Sequence, residues 1–196
     1  MKRSWVRLIA IALPGCVAIA CLNFCVGGPH YYSSKYRRPE QPSALVLPRL
    51  ALVPEQQIEP HTCGLHAISS IYRAYGLDPV ERNLRFRLGT DQVLSNFDDE
   101  SVGTIHPDMV RVVAQDGFDI RHCLNRGSEL NDHLAAGHPA LALIREKGLH
   151  WVAIDSLTDG QFTICDSLHE AEYVEPSEPF ARDRILSLLL VSPRQP

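Results

Sequence analysis

The spacing of apolar residues predicts helices in the first half of the chain and strands in the second. An apolar residue recurs every three or four positions in four segments, which begin at Cys63, Asp78, Pro107 and Ser128. Three of them end at a glycine, namely Gly76, Gly117 and Gly137. The spacing changes to two in residues 139–145, 150–156, 161–166 and 185–191. Helices followed by strands predict an α+β domain, with the helices packed on one side of an antiparallel sheet.

The N-terminal segment has the pattern of an export signal. Positive residues at positions 2, 3 and 7 precede an uncharged apolar run, and Ala18-Ile19-Ala20 gives a small-x-small cleavage pattern. Cys21 follows directly, as in the box of bacterial lipoproteins, and the apolar run continues to Val26. If uncleaved, the run is close to the ~20 residues that span a bilayer. A buried N-terminal helix is the alternative, but the run has no polar face.

These patterns predict three regions. Residues 1–26 are a signal peptide or membrane anchor, residues 27–44 are a linker rich in Gly, Pro, Ser and Tyr, and residues 45–196 are the folded domain. Residues 43–54 also resemble an edge strand interrupted by Pro48. We therefore expect an exported protein of the cell envelope, held at the membrane on the periplasmic side by its N-terminal segment or as a lipoprotein, in preference to a cytoplasmic one.

Composition excludes some functions and leaves a thiol free. A net charge of -4 gives no basic footprint for nucleic acid, and no GxxxxGK[ST] loop for ATP is present. Three cysteines lie in the export segment, which leaves Cys63, Cys123 and Cys165 in the domain. An odd number without close spacing is not a disulfide framework, so at least one thiol is free. We expect Cys123 and Cys165 to be small buried apolar residues.

The hairpin around Thr158-Asp159-Gly160 decides whether a histidine and an aspartate meet. A three-residue loop pairs Leu157 with Gln161 and brings His150 and Asp166 to one face as diagonal neighbours, about 7–8 Å apart at the backbone. A two-residue loop would separate them, because a slip of one residue turns every side chain to the other face. We expect the first helix to pack on the apolar face that they share.

Cys63 has the surroundings of a nucleophile. It opens the first helix, behind Thr62 as a predicted N-cap, and a helix N-terminus and an adjacent imidazolium both stabilise a thiolate. His150 can deliver a proton to a leaving amine, and Asp166 can orient its ring. Gln57 offers a side-chain NH₂ donor to a developing oxyanion, beside the backbone N–H of Cys63.

These residues resemble those of the bacteriocin-processing, double-glycine leader peptidases of the papain-like clan. Gln57 lies six residues before the Cys63-Gly64 pair, and HWVAIDSLTDGQFTICDSL is similar to the family's His strand and Asp strand. Further similar segments are LGTD, GTIHPDMVRVVAQDGF and AAGHPALALI, and the likeness covers about residues 45 to 192. It implies a papain-like cysteine peptidase fold, a peptide or protein substrate, no cofactor, and a triad of Cys63, His150 and Asp166 with Gln57 in the oxyanion hole.

The chain departs from this family in three ways, and other functions remain open. Thr62 stands where the family usually has Asp. The family commonly precedes an ATP-driven exporter, whereas this sequence has no GxxxxGK[ST] loop. In that setting the family's domain works on the cytoplasmic side, whereas we expect this chain to be exported. An inactive peptide-binding relative, or an amidase or acyltransferase that uses the same site, would share these residues. A zinc site of His61, Cys63, His66 and His150 is disfavoured because the spacing matches no known finger, and we predict no metal.

Overall fold

The computed structural model describes residues 51–79, 81–91 and 103–194, so the predicted export segment and linker lie outside the described residues. The helices in this part of the chain are α1 (Cys63–Ala74), α2 (Glu81–Arg87), α3 (His106–Gln115), α4 (Ser128–Ala135) and α5 (Ser177–Asp183). The strands are β1 (Phe118–His122), β2 (Ala140–Arg145), β3 (Leu149–Thr158), β4 (Gln161–Cys165), β5 (Tyr173–Pro176) and β6 (Ile185–Pro193). None of these helices has the length and apolar character needed to cross a membrane.

The four predicted helices and the four predicted strands are all present, and three further elements were missed. These are β1, β5 and α5, which are short and carry few apolar residues in a regular pattern. The predicted edge strand over residues 43–54 is wrong where it can be compared, because residues 51–54 form no strand. Polar runs with little periodicity gave no sequence signal for the missed strands, which pair at the edges of the sheet.

The six strands form one antiparallel sheet in the order β1-β6-β2-β3-β4-β5, with helices on both faces. On one face, α1, α2 and α3 cover a core that includes Trp151, Ala153 and Cys165. On the other face, α4 and α5 cover a core that includes Val152 and Ile154. The prediction of helices on one side only is therefore wrong, and β2 and β3 are apolar on both faces because both faces are covered.

A buried polar cluster holds the three helices of the first face together. The Tyr72 hydroxyl on α1 donates to Asp116 Oδ2 at 2.7 Å, directly after α3. The Arg87 guanidinium at the end of α2 donates to both oxygens of the same carboxylate, at 2.5 and 3.0 Å. Such bidentate pairs fix geometry as well as charge, so Asp116 sets the positions of α1 and α2 together.

The β3–β4 hairpin has a two-residue turn and a bulge, where a three-residue loop was predicted. Thr158 pairs with Gln161 across Asp159 and Gly160, whose φ values of 52° and 73° match a type I′ turn. The register then shifts between Ile154 and Ser156, because β3 contains one extra residue there. The bulge cancels the one-residue slip of the shorter turn, so Val152, Ile154, Phe162 and Ile164 share one face as predicted.

Candidate active site

Cys63 is the first residue of α1, and no side chain caps this helix. Thr62 precedes it as predicted, but the Thr62 hydroxyl donates to the carbonyl of Glu59 at 2.8 Å, so the predicted N-cap bond is absent. The unpaired N–H groups of a first helical turn favour negative charge. With no capping oxygen from Thr62, this positive end of α1 is available to the Cys63 sulfur.

His150 and Asp166 meet as the sequence predicts. His150 Nε2 lies 2.6 Å from Asp166 Oδ1, and both residues are buried, at 6% and 1% exposed. The Leu168 N–H also donates to Asp166 Oδ1 at 2.9 Å, and the Tyr173 hydroxyl lies 3.4 Å from Oδ2. Because Nε2 faces the carboxylate, Nδ1 is the ring nitrogen left for Cys63.

The charges of this pair stabilise each other despite burial. Burial by itself lowers the pKa of His150, but hydrogen bonds to Asp166 and Cys63 outweigh it and raise this pKa to about 9. Burial likewise raises the pKa of Asp166, while the bonds from His150 and from the Leu168 N–H lower it below its ordinary value overall. At neutral pH the pair is therefore an imidazolium beside a carboxylate.

Cys63 reaches His150 although α1 packs on the other face of the sheet. The first helix was predicted to pack on the Val152 face, and that prediction is wrong, since α1 covers Trp151 and Ala153. Cys165 is the last residue of β4 and pairs with Ala153. The first residues of β3, which precede Ala153, therefore have no β4 partner along this edge. There the Trp151 N–H donates to Cys63 Sγ at 3.5 Å. The sulfur thus lies beside the β3 backbone, where a side chain from either face can reach it.

Gln57 lies on a segment that crosses α1 and ends at the tip of β4. The Ser70 hydroxyl on α1 donates to the Val53 carbonyl at 3.0 Å, and Glu55 forms an ion pair with Arg73 at 2.7 Å. The Gln57 N–H donates to the Ser167 carbonyl at 3.0 Å. The segment therefore brings Gln57 next to the residue that follows Asp166. The sequence contains no signal for Ser167, because its role depends on this tertiary contact.

Gly64 is required by close packing beside Cys63. A Cβ atom here would lie 2.7 Å from Thr104 Cβ and 3.1 Å from Trp151 Cδ1, closer than side chains tolerate. Thr104 has little freedom to move, since its hydroxyl lies 3.2 Å from that of Thr90 and its carbonyl accepts the Trp151 indole N–H at 2.9 Å. The glycine after Cys63 therefore lets the start of α1 approach β3.

The four residues weighed as a zinc site are engaged in different contacts. His61 lies 3.1 Å from Asp91, and His66 lies 3.4 Å from Glu55, under the segment that carries Gln57. In the described part of the chain, the donors close enough to share a metal ion are Glu59, His61 and Asp91. The Arg85 guanidinium donates to both carboxylates of that group and supplies its positive charge.

The remaining thiols differ partly from expectation. Cys63, Cys123 and Cys165 are all free, and Cys165 is buried as predicted, but Cys123 is only half-buried, beside the loop that leads to α4. Burial raises the pKa of the Cys123 thiol and raises that of Cys165 to about 12. His133 lies half-buried against the Pro139 and Val191 carbonyls.

Comparison with known proteins gives one family and one fold. The family model described as the peptidase C39 family matches residues 52–195, well over half of the chain. A double glycine motif protease from an AMS/PCAT transporter, solved with the leader peptide, has 15% identity, a TM-score of 0.57, and 76% and 96% of the two chains covered. The peptidase domain of Streptococcus ComA has 20% identity, a TM-score of 0.57, and 74% and 98% covered. A C39-like peptidase from Bacillus anthracis has 12% identity, a TM-score of 0.61, and 76% and 100% covered. Comparison with curated sequences gives no significant match.

His150 should titrate far above an ordinary histidine, and removal of either partner should lower its pKa. We expect the ring to stay protonated up to about pH 9 in the native protein. Asp166→Asn and Cys63→Ala each remove a bond that favours the charged ring, so the pKa should fall in both variants. Histidine NMR titration measures this directly. His133, whose pKa burial lowers, is the internal control in the same spectrum. An ordinary pKa for His150, or an unchanged pKa in Asp166→Asn, would show that the two residues do not form this charged pair.

Gly64→Ala should destabilise the fold. The new methyl group must displace Thr104 or Trp151, and overpacking of this kind costs about 1–3 kcal/mol. Gly148→Ala is the matched control, because a Cβ atom at Gly148 meets no heavy atom within 4 Å. Urea unfolding of both variants measures the difference. Equal stability of the two would show that the start of α1 does not need this close approach.

Proposed function

The chain belongs to the peptidase C39 family and is a cysteine-type peptidase, and from this premise we propose that Cys63, His150 and Asp166 form its catalytic triad, with Gln57 as an oxyanion donor. The observation that carries the proposal is the buried His150–Asp166 pair at 2.6 Å, with its free ring nitrogen turned to the thiol at the start of α1. A structural thiol would need neither a charged imidazole nor an uncapped helix N-terminus beside it.

The first chemical step forms a thioester. The Cys63 thiolate attacks the carbonyl carbon of the scissile peptide bond, and the electron pair of the C=O bond moves to the oxygen. Gln57 Nε2 and the Cys63 backbone N–H donate to this oxyanion. As the C–N bond breaks, the imidazolium of His150 gives its proton to the leaving amine, which departs with a new amino terminus.

The second step regenerates the enzyme. Neutral His150 takes a proton from a water molecule, and the resulting hydroxide attacks the thioester carbon. The C–S bond breaks, the acid product leaves and Cys63 returns to the thiolate, paired again with the protonated ring. Asp166 holds the ring orientation throughout and stabilises its charged form. The reaction is peptide hydrolysis with no cofactor.

We propose a peptide substrate, and the double glycine motif named for one solved relative motivates cleavage after small residues. Exposed apolar side chains adjoin three of the polar site residues in sequence: Ile58 follows Gln57, Leu149 precedes His150, and Leu168 follows Ser167. Apolar groups exposed beside a polar site are typical of a surface that binds a partner. One solved relative of the same fold contains a bound leader peptide, which supports a peptide ligand here.

Substitutions in the four residues should separate their roles. With a peptide that ends in Gly-Gly joined to a fluorogenic amine, Cys63→Ala and His150→Ala should lose more than about 10⁴-fold in turnover. Gln57→Ala should lose about 10²–10³-fold, as for one oxyanion donor, and Asp166→Asn less than Cys63→Ala. Cys123→Ala is the matched control and should keep full activity. Wild-type turnover by Cys63→Ala would refute the proposal.

Thiol labelling of the native protein and of His150→Ala distinguishes an enzyme from an inactive peptide-binding relative. We expect iodoacetamide to alkylate Cys63 at pH 6, and peptide mapping by mass spectrometry to locate the label. Cys123 and Cys165 serve as controls within the chain, because burial raises the pKa of both thiols and keeps them protonated at this pH. Labelling should slow in His150→Ala, which lacks the imidazolium. An unreactive Cys63 in the folded protein would favour the inactive relative.

We also propose that residues 1–26 direct export, so that the peptidase acts in the cell envelope. The basic start, the apolar run and the Ala18-Ile19-Ala20 pattern before Cys21 support this. Residues 1–42 fused to a reporter enzyme that needs disulfides should give active reporter, because disulfides form outside the cytoplasm. The same fusion without residues 8–20 is the control. An inactive full fusion would contradict export.

A further inference from the structure

We propose that Ser167 is a positioning residue, which fixes the side-chain amide of Gln57 so that its nitrogen is presented to the reacting carbonyl. This inference rests on the role proposed above for Gln57. The Ser167 hydroxyl donates to Gln57 Oε1 at 2.6 Å, and the Gln57 backbone N–H donates to the Ser167 carbonyl at 3.0 Å. Two reciprocal bonds therefore join the side chain and the backbone of Gln57 to one residue, which is itself only 6% exposed.

The orientation of the amide matters because its two ends have opposite effects on an oxyanion. The nitrogen donates two hydrogen bonds, whereas the oxygen only accepts them and would repel a negative charge. A terminal amide rotates with little preference between two orientations, so its surroundings must select one. For an oxyanion donor the selected orientation must place Nε2, and not Oε1, toward the substrate.

Two contacts hold the amide, and the Pro60 carbonyl selects its productive orientation, because a hydroxyl can donate or accept whereas a carbonyl only accepts. Gln57 Nε2 lies 3.4 Å from the Pro60 carbonyl, as a long donor contact. The flipped amide would place Oε1 against this carbonyl, so that two acceptors would face each other. In the observed orientation the Ser167 hydroxyl donates to the oxygen, and the second N–H of the nitrogen remains for the substrate. Ser167 thus supplies the stronger of the two contacts, at 2.6 Å against 3.4 Å.

Ser167→Ala should release the amide and leave the nucleophile unchanged. We expect kcat for the Gly-Gly fluorogenic peptide to fall about tenfold with KM unchanged, less than the ~10²–10³-fold of a lost oxyanion donor. Alkylation of Cys63 by iodoacetamide should keep its rate, because displacement of iodide develops no oxyanion. Ser156→Ala is the matched control: it also removes a half-buried hydroxyl bond, to Thr163 at 3.0 Å, but away from the site. Ser167→Thr keeps a hydroxyl and should restore most of kcat.

Two further measurements make the inference falsifiable, one of them without any substrate. In side-chain amide NMR, the heteronuclear NOE of the Gln57 NH₂ should be high in the native protein and in Ser156→Ala, and low in Ser167→Ala. The double variant Ser167→Ala/Gln57→Ala should have the same kcat as Gln57→Ala alone, because both substitutions act through one amide. An equally ordered Gln57 amide in Ser167→Ala, or a loss that adds fully to that of Gln57→Ala, would overturn the inference. An ordered amide in a protein without turnover would instead refute the proposed function and leave the positioning contact standing.

Discussion

The hydrogen bond between His150 and Asp166 is the interaction on which the rest of the site depends. Both groups are buried, and burial alone would neutralise each of them, so the charged pair persists only because the partners lie 2.6 Å apart. That distance requires one particular register between β3 and β4. A shift of one residue would turn His150 to the opposite face and leave Asp166 a buried carboxylate without its cation. The register of one hairpin therefore decides the charge state of the site.

The register results from two features that cancel. The type I′ turn at Asp159 and Gly160 suits the twist of a hairpin but slips the pairing by one residue relative to a three-residue loop. The bulge between Ile154 and Ser156 restores the alignment on the side of the site. Beyond the bulge, β4 diverges after Cys165, which uncovers the edge of β3 where the Trp151 N–H meets the Cys63 sulfur. The hairpin thus aligns Asp166 with His150 and also leaves room for the Cys63 sulfur.

The sequence predicts the meeting of these residues but not the structure that achieves it. Alternating apolar positions place His150 on β3 and Asp166 at the end of β4, directly after its last residue, and helical periodicity behind Thr62 places Cys63 at the start of a helix. The predicted three-residue turn is wrong, and His150 and Asp166 share one face only because the bulge compensates for the shorter turn. A bulge has no signature in a run such as Ile154-Asp155-Ser156, and two apolar faces do not reveal which of them receives α1. Contacts between distant segments, such as Gln57 with Ser167, are likewise invisible to local patterns.

The end of β4 links the two proposed functions of the site through adjacent residues. Asp166 turns to His150, and the turn that follows is fixed by the Leu168 N–H on the same carboxylate. Ser167, between them, turns to Gln57. A single short turn thus orients the group that carries the proton and the group that we assign to the oxyanion. The buried ion pair with His150 fixes the position of Asp166, so the next residue, Ser167, has little freedom to move. The position of the Gln57 amide therefore depends on the His150–Asp166 pair through the Ser167 hydroxyl. Displacement of this turn would therefore disturb the proposed proton donor and the proposed oxyanion donor together, although Gln57 and His150 lie on separate segments of the chain.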